Sequence, residues 1–221
     1  MKNGYQKTIY ACFLGYIVQA IVNNFVPLLF LTFQSTYDIP LAKITMLVTM
    51  NFGIQLIVDL FSAKFVDRIG YRVSILAAHI CAAAGLILLT ILPDLLSDSF
   101  IGILISVMIY AVGGGLIEVL ISPIMESCPT DNKEQAMSLL HSFYCWGQAA
   151  VVLISTLLIW GLGESFWFLL PVLWALLPLC NTFLCAKVPV IEPKEQSHQP
   201  IPFKMLLKNK LFLIAVLMML A

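Results

Sequence analysis

Six stretches of this chain are long and apolar enough to cross a bilayer: residues 8–33, 44–65, 73–92, 100–127, 135–162 and 166–188. A helix needs about 20 such residues to traverse a hydrocarbon core about 30 Å thick. A soluble fold of 221 residues cannot hide six of them. Its surface would have to be polar, and only 11% of these residues are charged, against about 25% in an ordinary globular protein. Closed β-barrels also span membranes, but they are built from short alternating segments and not from continuous apolar runs. The expected fold class is an all-α integral membrane protein. The 12 basic and 12 acidic residues cancel, so no basic stripe offers itself to nucleic acid.

The spans are joined by short turn-rich connectors, with one exception. Residues 189–210 carry Pro189, Pro193, Pro200 and Pro202, several charges and no apolar periodicity, and read as a linker between two bodies. Residues 211–221 form an apolar run too short to span, which reads as the first half of a seventh helix. The expected organisation is thus a six-helix bundle over 1–188, a linker over 189–210 and the start of a seventh helix over 211–221. With the N-terminus inside, Lys2, Lys7, Lys64, Arg68, Arg72, Lys133, Lys187, Lys194, Lys204, Lys208 and Lys210 all fall on the inner side. Lys43 alone falls outside, so eleven of the twelve cations obey the positive-inside rule. The first apolar run is about twice the length of a signal-peptide core and lacks a small-residue cleavage site, so it is kept as a span.

Cys12, Cys81, Cys128, Cys145, Cys180 and Cys185 lie in spans or at the inner end of one. None forms a CxxC pair or shows metal-ligand spacing, and they read as small packing residues. There is no GxSxG, P-loop or HExxH sequence, so neither an enzyme nor a pump that hydrolyses ATP is expected, and no cofactor.

Polar side chains at membrane depth cost free energy and are the places to look for function. Glu118 lies about midway along the fourth span, on a face with Ala111, Gly114, Gly115, Ser122 and Met125. That small, partly polar face should turn toward another helix or a cavity, and the run Gly113, Gly114, Gly115 lets a neighbouring backbone or a ligand come close. A carboxylate at such depth is costly to keep charged, which suits reversible protonation. Asp59 in the second span shares a face with Asn51, Gln55 and Ser62. It lies nearer the inner end, where Lys64 or Arg68 could pair with it, and a structural or gating role is favoured over substrate contact.

The first span presents Tyr16, Gln19 and Asn23 at helical spacing, with Asn24 adjacent and Pro27 one turn on. The fifth presents His141, Tyr144, Cys145 and Gln148 along one stripe. Amides, a phenol and an imidazole supply donors and acceptors without fixed charge, a lining that suits a neutral, hydroxyl-rich solute, with Tyr144 or Trp146 available to stack on a sugar ring. Helix–helix hydrogen bonding explains any single one of these residues. Stripes on three spans favour one shared cavity. His79, alone in the third span, reads as a packing histidine.

Residues 63–72 read A-K-F-V-D-R-I-G-Y-R. In sequence and in place, between spans two and three, they resemble the major facilitator superfamily signature G-x-x-x-D-R-x-G-R-R. Asp67, Arg68, Gly70 and Arg72 match, while Ala63 and Tyr71 depart from it. Residues 113–119 (G-G-G-L-I-E-V) and 141–147 (H-S-F-Y-C-W-G) resemble the fucose-permease-like sugar transporters of that superfamily. In that branch a fourth-span glutamate serves sugar binding and proton coupling, and Glu118 stands at that position. The branch also has an aspartate late in the first span, where this chain has Asn23 and Asn24.

The resemblance implies the N-terminal half of a twelve-helix transporter: two inverted three-helix repeats, then the start of a seventh helix. The polar stripes and the resemblance together give the expected sites: substrate binding by Gln19, Asn23, Asn24, Glu118, His141, Tyr144 and Gln148 from the stripes, and, as the resemblance implies, proton coupling at Glu118 and gating at Asp67, Arg68, Gly70 and Arg72. The implied partners are the lipid bilayer, a small sugar-like solute, a proton and a missing C-terminal six-helix half. The implied setting is the cell membrane, with a cytoplasmic N-terminus. Two other readings compete: a receptor or assembly subunit that binds solute without moving it, and a half-transporter that dimerises.

Overall fold

The computed structural model describes residues 5–130, 132–190, 209, 210 and 212. The expected linker and seventh helix lie, but for a few positions, outside the described residues. Among the described residues eight α-helices make up the body: α1 (Gln6–Leu28), α2 (Phe30–Tyr37), α3 (Leu41–Ile69), α4 (Tyr71–Leu88), α5 (Leu92–Leu95), α6 (Ser99–Ser127), α7 (Lys133–Leu162) and α8 (Leu169–Lys187). A 3-10 turn, Glu164–Phe166, precedes α8. Among the described residues six segments have the length and apolarity to span a membrane: Gln6–Leu28, Leu41–Ser62, Tyr71–Leu88, Ser99–Ser127, Lys133–Leu162 and Glu164–Lys187. The protein is a multi-pass membrane protein.

The first span is shorter than its apolar run suggests. Pro27 has no N–H to give the helix, the chain leaves helical geometry at Leu29 (φ −93°, ψ 6°), and α2 starts afresh. Elsewhere the local chemistry ends helices where it should. Asp98 accepts a bond from the Phe100 N–H to open α6, and Asn132 accepts one from the Gln135 N–H to open α7.

Packing in the bundle has an internal symmetry. α4 packs on α6 as α8 packs on α1; α1 packs on α7 as α6 packs on α3; the pairs α1–α6 and α4–α8 complete the set. Exchanging α1, α3 and α4 for α6, α7 and α8 leaves this list unchanged, the pattern of two three-helix repeats. α1 and α6 are the most buried spans, while α3 and α7 are the least covered. The uncovered faces carry Phe52, Leu56, Leu60 and Phe61 on α3, and Leu153, Leu157 and Trp160 on α7. Side chains of this kind suit lipid or another apolar body.

At the centre, Gly113, Gly114 and Gly115 give α6 one close approach to each of three helices. A Cβ on Gly113 would stand 2.5 Å from the Ala78 carbonyl oxygen and 2.6 Å from the Ala82 nitrogen of α4. On Gly114 it would meet Val22 of α1 at 2.6 Å, and on Gly115 it would meet Val58 and the Gln55 backbone of α3 at 3.0–3.1 Å. A second interior node is polar. The Asn181 amide on α8 donates to the Ala11 carbonyl of α1 (3.0 Å) and to His79 Nε2 of α4 (2.8 Å). His79 Nδ1 bonds the Ile75 carbonyl, so the buried ring is a neutral packing histidine with its proton on Nδ1.

One end of the bundle carries Lys7, Arg68, Arg72, Lys133 and Lys187 and is called the basic end here. At the opposite end the Tyr37 hydroxyl donates to Asp94 at 2.9 Å, and the Tyr37 ring meets Trp167 edge-on. Burial first, and then the bond to Asp94, pushes the Tyr37 phenol above its ordinary value of 10.0.

Two outcomes follow from the packing. Gly113→Ala should force α4 and α6 apart at backbone contacts and cost about 2 kcal/mol, read as a lowered melting temperature in detergent. Tyr37 is held protonated by folding, so its contribution is complete below pH 10.0 and lost as pH rises through its raised folded value. The melting temperature should therefore fall on alkalinisation above that pH, and Tyr37→Phe should flatten that dependence.

Candidate functional site

The glycine contacts bring the polar stripes of four helices together. Gln19 of α1 donates to Glu118 Oε2 of α6 at 3.1 Å and to Gln55 Oε1 of α3 at 3.2 Å. Gln55 in turn donates to Asn23 Oδ1 of α1 at 2.8 Å and to Asn51 Oδ1 of its own helix at 3.1 Å. Asn23 Nδ2 reaches the Tyr144 hydroxyl of α7 at 3.3 Å. A continuous run of side-chain bonds therefore joins a carboxylate on α6 to a phenol on α7. Alongside it, the Tyr16 and Ser122 hydroxyls bond at 2.8 Å, and the Tyr16 ring meets His141 and Tyr144 edge-on at 5.4 and 6.4 Å.

Gln19, Asn51 and Gln55 are buried, and Asn23 and Tyr144 are partly so. Glu118 is exposed although its helix is among the most buried, so the carboxylate stands at the open rim of a closed amide cluster. It lies about a turn and a half beyond the midpoint of α6, toward the basic end. Asp59 is half-buried one turn from Gln55, near enough to Glu118 for the two carboxylates to repel each other. Its Oδ1 is buried and has no hydrogen-bond partner among the described residues.

The other expected site residues divide. His141 is exposed and joins through the Tyr16 ring. Asn24 turns aside, bonding the Ala20 carbonyl of its own helix at 2.9 Å. Gln148 lies further along α7 with Cys145, Ala149, Val152 and Thr156, on a shallow depression of that helix. Gln55 and Asn51, read from sequence only as neighbours of Asp59, hold central places. Their signal was available in the spacing of four between them and in a small α6 surface opposite. Among the described residues no three His, Cys, Asp or Glu side chains converge as a metal site, and the cysteines are free thiols.

At the basic end, Gly70 alone separates α3 from α4, at φ 90° and ψ 151°, a conformation glycine adopts without strain. Arg68 lies in the last turn of α3, where a cation suits the helix dipole. Arg72 donates from Nη1 to the Ala186 carbonyl and from Nη2 to the Val188 carbonyl, each at 2.7 Å. The guanidinium thus caps the C-terminus of α8, and Thr8 of α1 bonds the next carbonyl, Pro189, at 2.9 Å. Asp67 lies in the last turn of α3, and its side chain is outside the described residues.

A bundle of two matched three-helix sets, with polar side chains converging at mid-depth, is the architecture of half of a secondary transporter. The family profile of the Major Facilitator Superfamily matches residues 11–221, and the chain belongs to that superfamily. Among solved structures the chain resembles the inward-open conformation of the xylose transporter XylE from E. coli, with a TM-score of 0.73 and 16% identity. The likeness covers 96% of this chain and 54% of that one, so the chain spans about half the length of the transporter it matches. No curated protein sequence matches.

Removing the cap on α8 has a readable effect. Arg72→Ala should cost about 1 kcal/mol and speed amide exchange in the last turn of α8, and Arg72→Lys should restore only part, because an ammonium lacks the two-pronged reach. Unchanged exchange in Arg72→Ala would show that the two bonds do not hold that turn.

Proposed function

We propose that the chain forms one half of a secondary transporter that moves a neutral, sugar-like solute together with a proton by alternating access. The observation that carries this reading is the hydrogen-bonded run from Glu118 through Gln19, Gln55 and Asn23 to Tyr144, which gathers four helices around uncharged donors and acceptors with one accessible carboxylate. Hydroxyl groups of a solute can both give and take hydrogen bonds at such a surface, and the Tyr16 and Tyr144 rings offer apolar faces. The xylose transporter among the structural neighbours is in keeping with a sugar-like solute. In this reading Asn23 and Tyr144 contact solute directly, Gln19 stands behind them and links them to Glu118, His141, Asn24 and Gln148 flank the solute, and Glu118 carries the proton.

The exposed apolar faces of α3 and α7 suit a second six-helix half, with the solute between the two. The basic end faces the cytoplasm of a cell membrane, as the distribution of cations favours. Asp67, Arg68, Gly70 and Arg72 form the gate on that side: the grip of Arg72 on α8 is a set of bonds that can open when the helices tilt.

The test is uptake of labelled xylose and fucose by the two-half transporter in lipid vesicles, with and without an imposed pH gradient. One pH unit supplies about 1.4 kcal/mol per proton, enough for about tenfold accumulation. Glu118→Gln should abolish gradient-driven accumulation while solute still exchanges across the membrane. Accumulation that survives this substitution would refute proton coupling at Glu118, and absence of any exchange of either sugar would refute the sugar-like substrate.

A further inference from the structure

Gln55 is 3% exposed, and each of its polar atoms is engaged: Oε1 accepts from Gln19, and Nε2 donates to Asn23 and to Asn51. Its neighbour Gln19 is different. Both of its bonds leave from Nε2, toward Glu118 and Gln55, while Oε1 is buried against Gly114 with no partner among the described residues. A primary amide has nearly the same shape when its oxygen and nitrogen change places, so its orientation is set by its bonds alone. In this run every orientation depends on the next, and Gln55 is the junction.

In the present arrangement Glu118 Oε2 accepts from Gln19, the role an unprotonated carboxylate oxygen fills best. A proton on Oε2 that is directed at Gln19 meets an N–H there, donor against donor. Turning the Gln19 amide over presents its idle Oε1 to that proton, but also sets this oxygen against Gln55 Oε1, where two acceptors would face each other at about the 3.2 Å of the present bond. Turning Gln55 over removes the conflict and passes it on: its oxygen now faces the oxygens of Asn23 and Asn51. When those two also reverse, Asn23 presents Oδ1 to Tyr144, whose hydroxyl must change from acceptor to donor. All five bonds survive with donor and acceptor exchanged.

We infer that Gln55 is a positioning residue that couples the amides on either side of it, so that proton uptake by Glu118 on α6 is read at Tyr144 on α7 as a reversal of hydrogen-bond polarity. This rests on the reading of Glu118 as the proton site and adds how that proton reaches the solute. With Glu118 charged, Tyr144 has its own proton free for an acceptor oxygen of a solute. With Glu118 protonated, that proton is committed to Asn23, and the phenol oxygen is left to accept. The other titratable groups facing Glu118 are Asp59 from α3 and Tyr16 from α1, with His141 of α7 behind the Tyr16 ring. No solute is required for the reversal, so it can be followed in the protein alone.

The experiment is infrared difference spectroscopy of the protein in lipid vesicles between neutral and acid pH, with ring-labelled tyrosine. Glu118→Gln identifies the Glu118 carboxyl band and the background from all other groups, and Tyr144→Phe identifies the Tyr144 C–O band. The expected result is a Tyr144 band that shifts with the same midpoint as the Glu118 carboxyl. In Gln55→Leu the carboxyl should still titrate while the Tyr144 shift falls to the level seen in Glu118→Gln. Gln55→Asn keeps an amide in place but is one methylene too short to bridge Gln19 and Asn23, and it should uncouple the two bands in the same way should the leucine variant not fold. A titrating Glu118 with a silent Tyr144, as when the proton settles on Oε1, overturns this inference alone, as does a Tyr144 shift that is undiminished in either Gln55 variant. A Glu118 that does not titrate overturns the proton reading and this inference together.

Discussion

The close approach of three helices to Gly113, Gly114 and Gly115 is the contact on which the rest of the bundle depends. Each glycine admits a different neighbour, α4, α1 and α3 in turn; a methyl group would collide with backbone at Gly113, with the Val22 side chain at Gly114, and would be tight at Gly115. Inside a bilayer, helices gain little from burying apolar surface against one another, since lipid is as apolar as leucine. Tight van der Waals packing and interhelical hydrogen bonds must do that work. The glycines supply the first and make the second possible. Gln19 and Gln55 lie on helices that meet across Gly114 and Gly115, and a wider spacing would leave their amides with no partner in a medium that offers none.

The same constraint explains why the polar residues form one connected set. An unpaired amide at membrane depth costs several kcal/mol, so each helix that carries one must find another that does. Gln19, Asn23, Asn51, Gln55 and Tyr144 meet most of that demand among themselves, and His79, Asn181 and the Ala11 carbonyl do so on the other side of α1, with Gln19 Oε1 and Asn181 Oδ1 left without a partner among the described residues. Glu118 is the exception. It takes one bond from the cluster and otherwise stays open, which is how a group that exchanges protons or contacts a solute must sit.

Much of this was legible in the sequence because membrane helices obey strong one-dimensional rules. Span number follows from apolar run length, and Gly70 and Arg72 were visible in a recognisable loop. The glycine face beside Glu118 was visible from helical spacing. What escaped had physical causes. Pro27 and Leu29 break the first span because a proline's missing N–H matters more than continued apolarity. Asn24 neighbours Asn23 in sequence but points about 100° away around the helix, where its own backbone is the nearest acceptor. Gln55 was grouped with Asp59 because the two share a helix face. Only the three-dimensional crossing of α3 over α6 shows that Gln55 turns inward to the amides while Asp59 does not join them.

Arg72 and Thr8 bear on how such a bundle can move. Between them they hold the carbonyls of Ala186, Val188 and Pro189, so the exit of α8 is tied to the first turn of α4 and to the first turns of α1. Asn181 repeats the tie deeper in the bundle, to α4 and α1 again. Two sets of fastenings at different depths join the same three helices, so α8 can tilt away from α1 and α4 only when both sets open. The side made by α1, α4 and α8 is therefore joined by polar bonds at two depths. The chain that leaves α8 starts from that tied corner, so its position is coupled to whether Arg72 holds or releases the end of α8.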